Sequence, residues 1–353
     1  IRDSYPAEHF YIITEPIENL SKILPTIRDF DNRTYIKEDA GKILVGIFEG
    51  NSIPAWDKTN KVPEDFSYGE FQENFEHFEP YLAAAIKRFP VLETAGIRKF
   101  FSGPESFTPD TNTLLGEVPE IKNFFVCCGL NSIGIGSGGG VGKVTAEWLM
   151  TGHINEDIFS YDIKRFQKFH SELGFIKKRI TETLGDLYGM HWPFKQHKTS
   201  RDIKRLPHHE KLKSFGACFG VSGGYERPMW FSLDGKNTEY EYSYNYQNWY
   251  QSAEHETNNT VKNVGLFDLT PFSKFEIMSE KAHEELQIIC TGNIKNEVGK
   301  CTYTHMLNTD GGIETDLTVV CLDNNHFRII SSAATRERDK FHIKKHLTKD
   351  IEL

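Results

Sequence analysis

Seven glycines fall within Gly129–Gly142, in the stretch GLNSIGIGSGGGVGK. A short apolar strand, Phe124–Cys128, leads into it. Val141, Val144, Trp148 and Leu149 then recur at helical spacing, and Gly152 follows the last of them. The order predicts strand, glycine turn, and a helix from about Gly140 with an αL cap at Gly152. Glycine lets the backbone come close to a ligand. The first N–H groups of a helix point outward at the positive end of its dipole. Such an element holds an anion or an electron-rich carbonyl. The plainer reading, a turn that only packs a helix on a sheet, stays open at this point. An ATP loop is excluded: with Gly142-Lys143 as its G-K pair, Ser137 stands at the first glycine and Val144 at the final Ser/Thr. A dinucleotide spacing can be read at Gly134, Gly136 and Gly139, but no acidic residue closes a following strand.

Two further groups of residues have types suited to chemistry. His9 and Tyr11 alternate within the β-rich run HFYIIT, so a strand puts both on one face. The loop Met306–Leu317, MLNTDGGIETDL, places Asp310, Glu314 and Asp316 close to a tight turn. There the spacing alone does not choose between a ligand-binding carboxylate and a solvated hairpin. His342 and His346 lie four apart on a predicted helix, yet lysines surround them and no acid completes a metal set. His208-His209 has no partner at ligand spacing, no C-x-x-C pattern occurs, and no nucleophile elbow is expected. No metal site is expected.

The elements that position these residues follow from composition and pattern. The chain has 353 residues, 38% hydrophobic and 13% aromatic, enough for two domains with real cores. Its net charge of −9 argues against a nucleic-acid partner held through phosphates. No apolar run reaches the length of a membrane span. Six cysteines without disulfide or zinc spacing indicate a reducing compartment. The chain starts with Ile1 close to a strand, which suggests a fragment or a processed chain. His9–Thr14, Thr34–Ile36 and Ile43–Phe48 read as an antiparallel meander. Phe71, Phe75, Phe78, Leu82, Ile86 and Phe89 form one stripe of a long helix. A charged helical stretch runs from Tyr161 to about Tyr188, and residues 191–210 read as a solvated basic linker. Tyr240–Tyr250 has the period of a strand or extended loop. Gly265–Leu269, Lys274–Ile277, Thr318–Leu322 and Phe327–Ile330 read as strands, with a helix at Glu280–Ile289. The fold class is α+β.

The runs HFYIITEPI, FPVLETAGI, GPESFTPD, GLNSIGIGSGGGVGK and YDIKRF resemble the sarcosine and dimethylglycine dehydrogenase family. YERPMWF, FDLTPFSKF and MLNTDGGIETDLTV resemble the folate-binding half of the same proteins, which is similar to the aminomethyltransferase (T-protein) of glycine cleavage. The resemblance covers almost the whole chain in the family's order. It implies residues 1–152 as the C-terminal part of an FAD-dependent oxidoreductase domain. Residues 153–205 would be its central connector and 206–353 the start of a folate-binding domain. It implies FAD and tetrahydrofolate as cofactors and a small N-methyl amine as substrate. An electron acceptor such as an electron-transfer flavoprotein would be the partner, in the bacterial cytoplasm or the mitochondrial matrix. It puts Gly134, Gly136, Gly138, Gly139, Gly140, Gly142, Lys143 and Asp110 on the flavin side, with the amides of Gly138–Gly142 meeting the ring. Tyr11, with His9 beside it, would line the substrate side, and Asp316 would meet folate. T-proteins usually carry two adjacent acids there; this chain has Thr315-Asp316. Two other readings compete. One is the regulatory subunit of pyruvate dehydrogenase phosphatase, which shares the HFEP segment at His77–Pro80. The other is a folate-only aminomethyltransferase, against which the FAD-type first half argues.

Overall fold

The computed structural model describes residues 3–154, 157–348 and 353. Ile1, where a missing upstream part is expected, lies outside them. The chain divides into two compact units. The first takes in Ile1–Leu114, Cys127–Val141 and Lys168–Ser200; the second takes in Leu115–Val126, Gly142–Gln167 and Arg201–Leu353. Both are antiparallel sheets packed with helices, the α+β class expected.

In the first unit β1 (Tyr5–Thr14), β2 (Ile27–Asp29), β3 (Thr34–Asp39), β4 (Lys42–Ile47) and β5 (Ile97–Phe107) form one sheet in the order β2-β3-β4-β1-β5. Ala40 and Gly41, both at positive φ, make the tight turn that joins β3 to β4. The two faces of β1 differ. Phe10 and Ile12 enter a core with Ile36, Val45, Ile47 and Phe100, closed by Phe78 and Ala85 of helix α1 (Phe75–Arg88). Asn74 caps α1 by accepting from the His77 amide at 3.1 Å, so the helix starts there and not at Phe71. Phe71 donates its amide to Ser102 O instead, alongside β5. On the other face Tyr5 and Ala7 pack with Phe48 and Phe107 under a later helix.

A short ribbon of β6 (Leu114–Glu117) and β7 (Phe125–Cys128) precedes helix α2 (Gly134–Thr151), within which the division between the units falls. The helix starts six residues before the expected Gly140, because Ile133 O accepts both the amide and the hydroxyl of Ser137 and so begins the ladder. The stretch after Tyr161, expected as one helix, is a series of 3₁₀ turns followed by α3 (Leu173–Asp186). Asp162 interrupts it by capping the Lys164 amide at 2.9 Å from extended backbone. In the first unit α3 buries Phe175, Ile176, Ile180 and Leu184 against Tyr5, Ala7, Phe48 and Phe107.

The second unit opens with α4 (His209–Ser214) and the hairpin β8 (Ala217–Ser222) and β9 (Tyr225–Phe231), followed by α5 (Tyr250–Lys262). A four-stranded sheet follows, from β10 (Ser273–Met278), β11 (Cys301–Leu307), β12 (Ile313–Asp323) and β13 (His326–Ser331), in the order β10-β13-β12-β11. Helices α6 (Ala282–Ile289) and α7 (Arg336–His346) cover one face, where Leu286 and Ile343 meet Ile277, Leu317, Val319, Phe327 and Ile329. Gly265–Leu269, expected as a strand, has no regular structure and exposes Leu266 and Phe267. The basic segment 191–210, expected as a solvated linker, is tied down at several points. Arg201 grips the buried Glu226 with two nitrogens, at 2.5 and 2.7 Å, and His209 stacks on Phe219 at 4.0 Å. The acidic partner of Arg201 lies 25 residues further along the chain, which composition does not reveal. No described helix is long and apolar enough to cross a membrane.

Candidate active site

The odd-numbered face of β1 is lined by rings. Register sets Tyr35, Gly46, Tyr11 and Phe101 side by side across four strands. Phe101 stacks on Tyr11 at 4.5 Å, and Lys99 Nζ lies 5.5 Å from the Phe101 ring. Gly46 leaves the space that the Tyr35 ring fills, since a Cβ built there would fall inside that ring. Gly103 does the same for Phe101, whose Cζ would lie 2.7 Å from an added Cβ. One row further along is His9, 7% exposed, with its ring 4.9 Å from Phe48 and 6.5 Å from Tyr35. Burial pushes the His9 imidazole down to about 4, so it is neutral at physiological pH. Its Nδ1 is buried and meets no hydrogen-bond partner among the described residues. Burial likewise raises the Tyr11 and Tyr35 phenols, which stay protonated. His9 and Tyr11 thus share a face as expected. Tyr35 and Glu105, absent from the sequence reading, join them only through strand pairing.

The start of α2 is tied to this face. Ser132, two residues before the helix, donates its hydroxyl to Glu105 Oε2 at 2.9 Å, and that oxygen lies 4.0 Å from His9 Nε2. The connecting loop is held hard. Gly129, Asn131 and Ser132 all have positive φ, which strains the two non-glycines. The buried Asn131 side chain accepts from the Thr108 amide at 2.9 Å and donates to Gly129 O at 2.6 Å. With the helix beginning at Gly134, its free amides belong to Gly134–Gly136, while those of Gly138–Gly142 lie inside the helical ladder. This corrects the expected amides at Gly138–Gly142. What those glycines offer is a bare face: a Cβ at Gly136, Gly138, Gly139, Gly140 or Gly142 would meet nothing within 4 Å. Packing within the chain therefore does not require them. Each costs its helix about 1 kcal/mol relative to alanine. Such a face admits the close approach of a flat group. Asp110 takes a local role, accepting from the Asn112 amide at 3.1 Å and the Thr108 hydroxyl at 3.3 Å. Lys143 pairs with Glu147 at 3.6 Å on the exposed side of α2.

In the second unit the Gly311-Gly312 turn is shaped by Asn308, whose Oδ1 accepts from the Asp310 and Gly312 amides. Asp316 is not in this loop but in β12, because the ladder to β11 begins at Ile313. It faces away from the core, opposite His305, and Oδ2 accepts from Tyr303 OH at 3.1 Å. That bond holds the Tyr303 phenol above its ordinary range. The sheet face here is not covered by α6 or α7. Asp310 bonds His153 Nε2 at 2.7 Å, so the turn is anchored to the residue after the Gly152 cap.

Comparison with known proteins assigns these parts. The FAD dependent oxidoreductase profile matches residues 2–148, the FAD dependent oxidoreductase central domain 151–205, and the GCVT N-terminal domain 208–353. The 4-methylaminobutanoate oxidase (formaldehyde-forming) of Paenarthrobacter nicotinovorans is 38% identical over 97% of this chain and 41% of its own length. The mitochondrial sarcosine dehydrogenase of Homo sapiens is 33% identical over 90% of this chain and 37% of its own length. The chain belongs to the sarcosine and dimethylglycine dehydrogenase family. Another relative, the mitochondrial pyruvate dehydrogenase phosphatase regulatory subunit of Mus musculus, is 33% identical over 99% of the chain and 40% of its own length. The chain spans about two-fifths of the length of these relatives.

Two other clusters in this dehydrogenase-family chain attract attention. One is a cleft of about 320 Å³ in the second unit, lined among others by Glu314, Arg338 and His342. His342, which the sequence sets among lysines, is partly buried there; burial and the neighbouring His346 push it down to about 4. Lys164, 5% exposed, stands between the rings of Trp148 and Phe341 and pairs with Asp162 at 3.0 Å, which fixes it as a structural cation. The other cluster is Glu182, Asp186 and His197 in the first unit, whose donor atoms lie within 4.8 Å of one another. Lys195 and the amides of Lys198 and Thr199 already bond its carboxylates. It works as an ionic clamp on α3. Burial lowers His197, but the bonds to Asp186 and Glu182 outweigh this and leave it above its ordinary 6.5. Burial raises Glu182 and Asp186, but bonds from His197 and its neighbours outweigh this and leave both low. The His197 contribution is therefore complete below pH 6.5 and is lost as pH rises through the folded value. The carboxylate contributions are complete above 4.5 and 3.8 and are lost as pH falls through the folded values. Thermal unfolding should thus show His197→Gln less stable than wild type by on the order of 1 kcal/mol at about pH 6. That is about 2–4 °C, and the gap should close at alkaline pH. A gap that persists there would mean that His197 acts by packing.

Proposed function

We propose that the protein is an FAD-dependent enzyme that oxidises the N-methyl group of a small amino acid such as sarcosine or dimethylglycine and passes the one-carbon unit to tetrahydrofolate. The observation that carries this reading is the bare glycine face of α2, which no described residue fills and which is tied through Ser132 and Glu105 to an aromatic sheet face. The residues fit the cofactor. Amides at Gly134–Gly136 would meet its electron-rich edge, and the glycines through Gly142 would let it lie close. FAD, when bound, supplies the hydride acceptor. Tyr11, Tyr35 and Phe101 form a wall that excludes water and orients an N-methyl group. Rings of this kind also attract an ammonium ion. His9, neutral and buried, offers a hydrogen bond without adding charge.

In the second half, Asp316 would accept hydrogen bonds from the pterin of tetrahydrofolate, with Tyr303 fixing its rotamer. The oxidase and sarcosine dehydrogenase relatives support this reading. The regulatory-subunit relative, which matches the same residues at 33% identity, supports a second one, in which the site binds without turnover.

Absorbance of the full-length protein under anaerobic N-methylglycine or 4-methylaminobutanoate tests the two. The enzyme reading expects bleaching of the flavin band, and no bleaching by any N-methyl amine would overturn it. Tyr11→Phe should keep its flavin and lose about tenfold or more in reduction rate. An unchanged rate and pH dependence would leave Tyr11 as a packing residue.

A further inference from the structure

An N-methyl amino acid arrives largely as the ammonium ion, which has no lone pair on nitrogen and cannot give up hydride readily. The site must bind that cation and remove a proton. On the aromatic face the groups available are His9 and Tyr11 on β1, Tyr35 on β3, and Glu105 on β5; Lys99, ion-paired with Glu70 at 2.6 Å, and Asp39 lie beyond Tyr11 at its outer edge. His9 is too weak a base, since burial already holds it neutral. Tyr11 and Tyr35 remain phenols. Glu105 is the acid within the aromatic rows. It stands one row from His9, with Oε2 at 4.0 Å from His9 Nε2. Ser132 fixes that oxygen at 2.9 Å, from a loop that keeps two non-glycine residues at positive φ. A side chain held this firmly beside an aromatic wall is a counter-ion in waiting.

Resting on the function proposed above, we infer that Glu105 binds the substrate as its ammonium ion and takes its proton. One N–H bond breaks, an O–H bond forms on the Glu105 carboxylate, and the electron pair stays on nitrogen. The surroundings favour the step: burial raises the Glu105 carboxyl, against the Ser132 hydrogen bonds. Burial also lowers an amine's basicity, so the two values approach each other inside the site. Tyr35 and His9, the neighbours facing the carboxylate, add no charge.

Glu105→Gln keeps the shape and an acceptor for Ser132 but removes the charge. Two measurements on the full-length flavoprotein decide the matter. The first is calorimetric binding of a quaternary ammonium analogue, which cannot be oxidised, and of its uncharged thioether isostere. Glu105→Gln should weaken the first about tenfold and leave the second within about twofold. Ser132→Ala, which retains the charge, should keep the wild-type preference between the two. The second is the pH dependence of anaerobic flavin reduction by N-methylglycine. The acid limb should move up by about one unit or more in Glu105→Gln, toward the amine's own titration. Equal weakening of both analogues, or an unmoved limb, would overturn the inference and leave Glu105 as the clamp on Ser132. If the wild type is not reduced at all, the enzyme reading fails, and the analogue comparison alone still decides whether Glu105 recognises the cation.

Discussion

Replacing Gly136 and Gly140 together with alanine is expected to raise the melting temperature of the flavin-free protein above that of flavin-free wild type, and to abolish flavin absorbance in the full-length protein. The two effects have one cause. Both glycines lie in α2, one turn apart on the same side, and a Cβ at either meets nothing within 4 Å. The methyl groups therefore clash with nothing in the chain. They remove the backbone freedom that makes glycine a poor helix former, at about 1 kcal/mol each. For a domain of this size that amounts to several degrees. The same methyls occupy the face on which a flat ring system would rest, so bound flavin should fall to a small fraction of wild type. Most mutations that empty a cofactor site also destabilise the fold. Here the signs are opposite, which makes the result hard to mistake. Wild-type flavin content in the double variant would show that the glycine face serves something else.

Asp316→Ala is expected to shift the product from methylene-tetrahydrofolate toward free formaldehyde while leaving amine turnover unchanged. Asp316 points away from the core of the second sheet, and its one described side-chain bond is from Tyr303 OH. Removing the carboxylate opens no cavity and leaves the phenol free to meet water. Stability should therefore change little. A charged acceptor to the pterin N–H groups is worth roughly 1.5–3 kcal/mol, so folate affinity should fall about tenfold or more. A variant that melts several degrees lower with the wild-type product ratio would assign Asp316 to the hairpin alone. It would also strengthen the reading drawn from the regulatory-subunit relative.

Much of this site was legible in the sequence because its parts are local. The strand HFYIIT placed His9 and Tyr11 on one face by period alone. The glycine run marks a backbone open to close approach or a plain packing turn, and the MLNTDGGIETDL turn shows three acids near a tight turn without choosing between a ligand and solvent. What stayed hidden depends on pairing between distant strands. Nothing near Tyr35 in the sequence connects it to His9; the register across Gly46 does. Glu105 reads as one more polar residue of GPESFTPD until β5 lies against β1. The helix start was misplaced because propensity disfavours glycine, whereas Ser137 bonding to Ile133 O decides the matter. Asp316 was assigned to a loop because the Gly-Gly pair dominates the local pattern, although the ladder with β11 resumes at once. The segment 191–210 looked like a linker because its charges found their partners far away.

The two-sidedness of β1 has an evolutionary consequence. Phe10 and Ile12 answer to the fit of the core, whereas His9 and Tyr11 face the aromatic rows, and the two kinds alternate residue by residue. Drift at one set is invisible to the other. On the function proposed above, a lineage can therefore exchange one amine for another through His9 and Tyr11, with Gly46 and Gly103 setting how large a neighbouring ring is admitted, and never renegotiate the packing of Phe10 and Ile12 beneath them. Substrate preference can diverge among such proteins while their hydrophobic interior keeps the same signature.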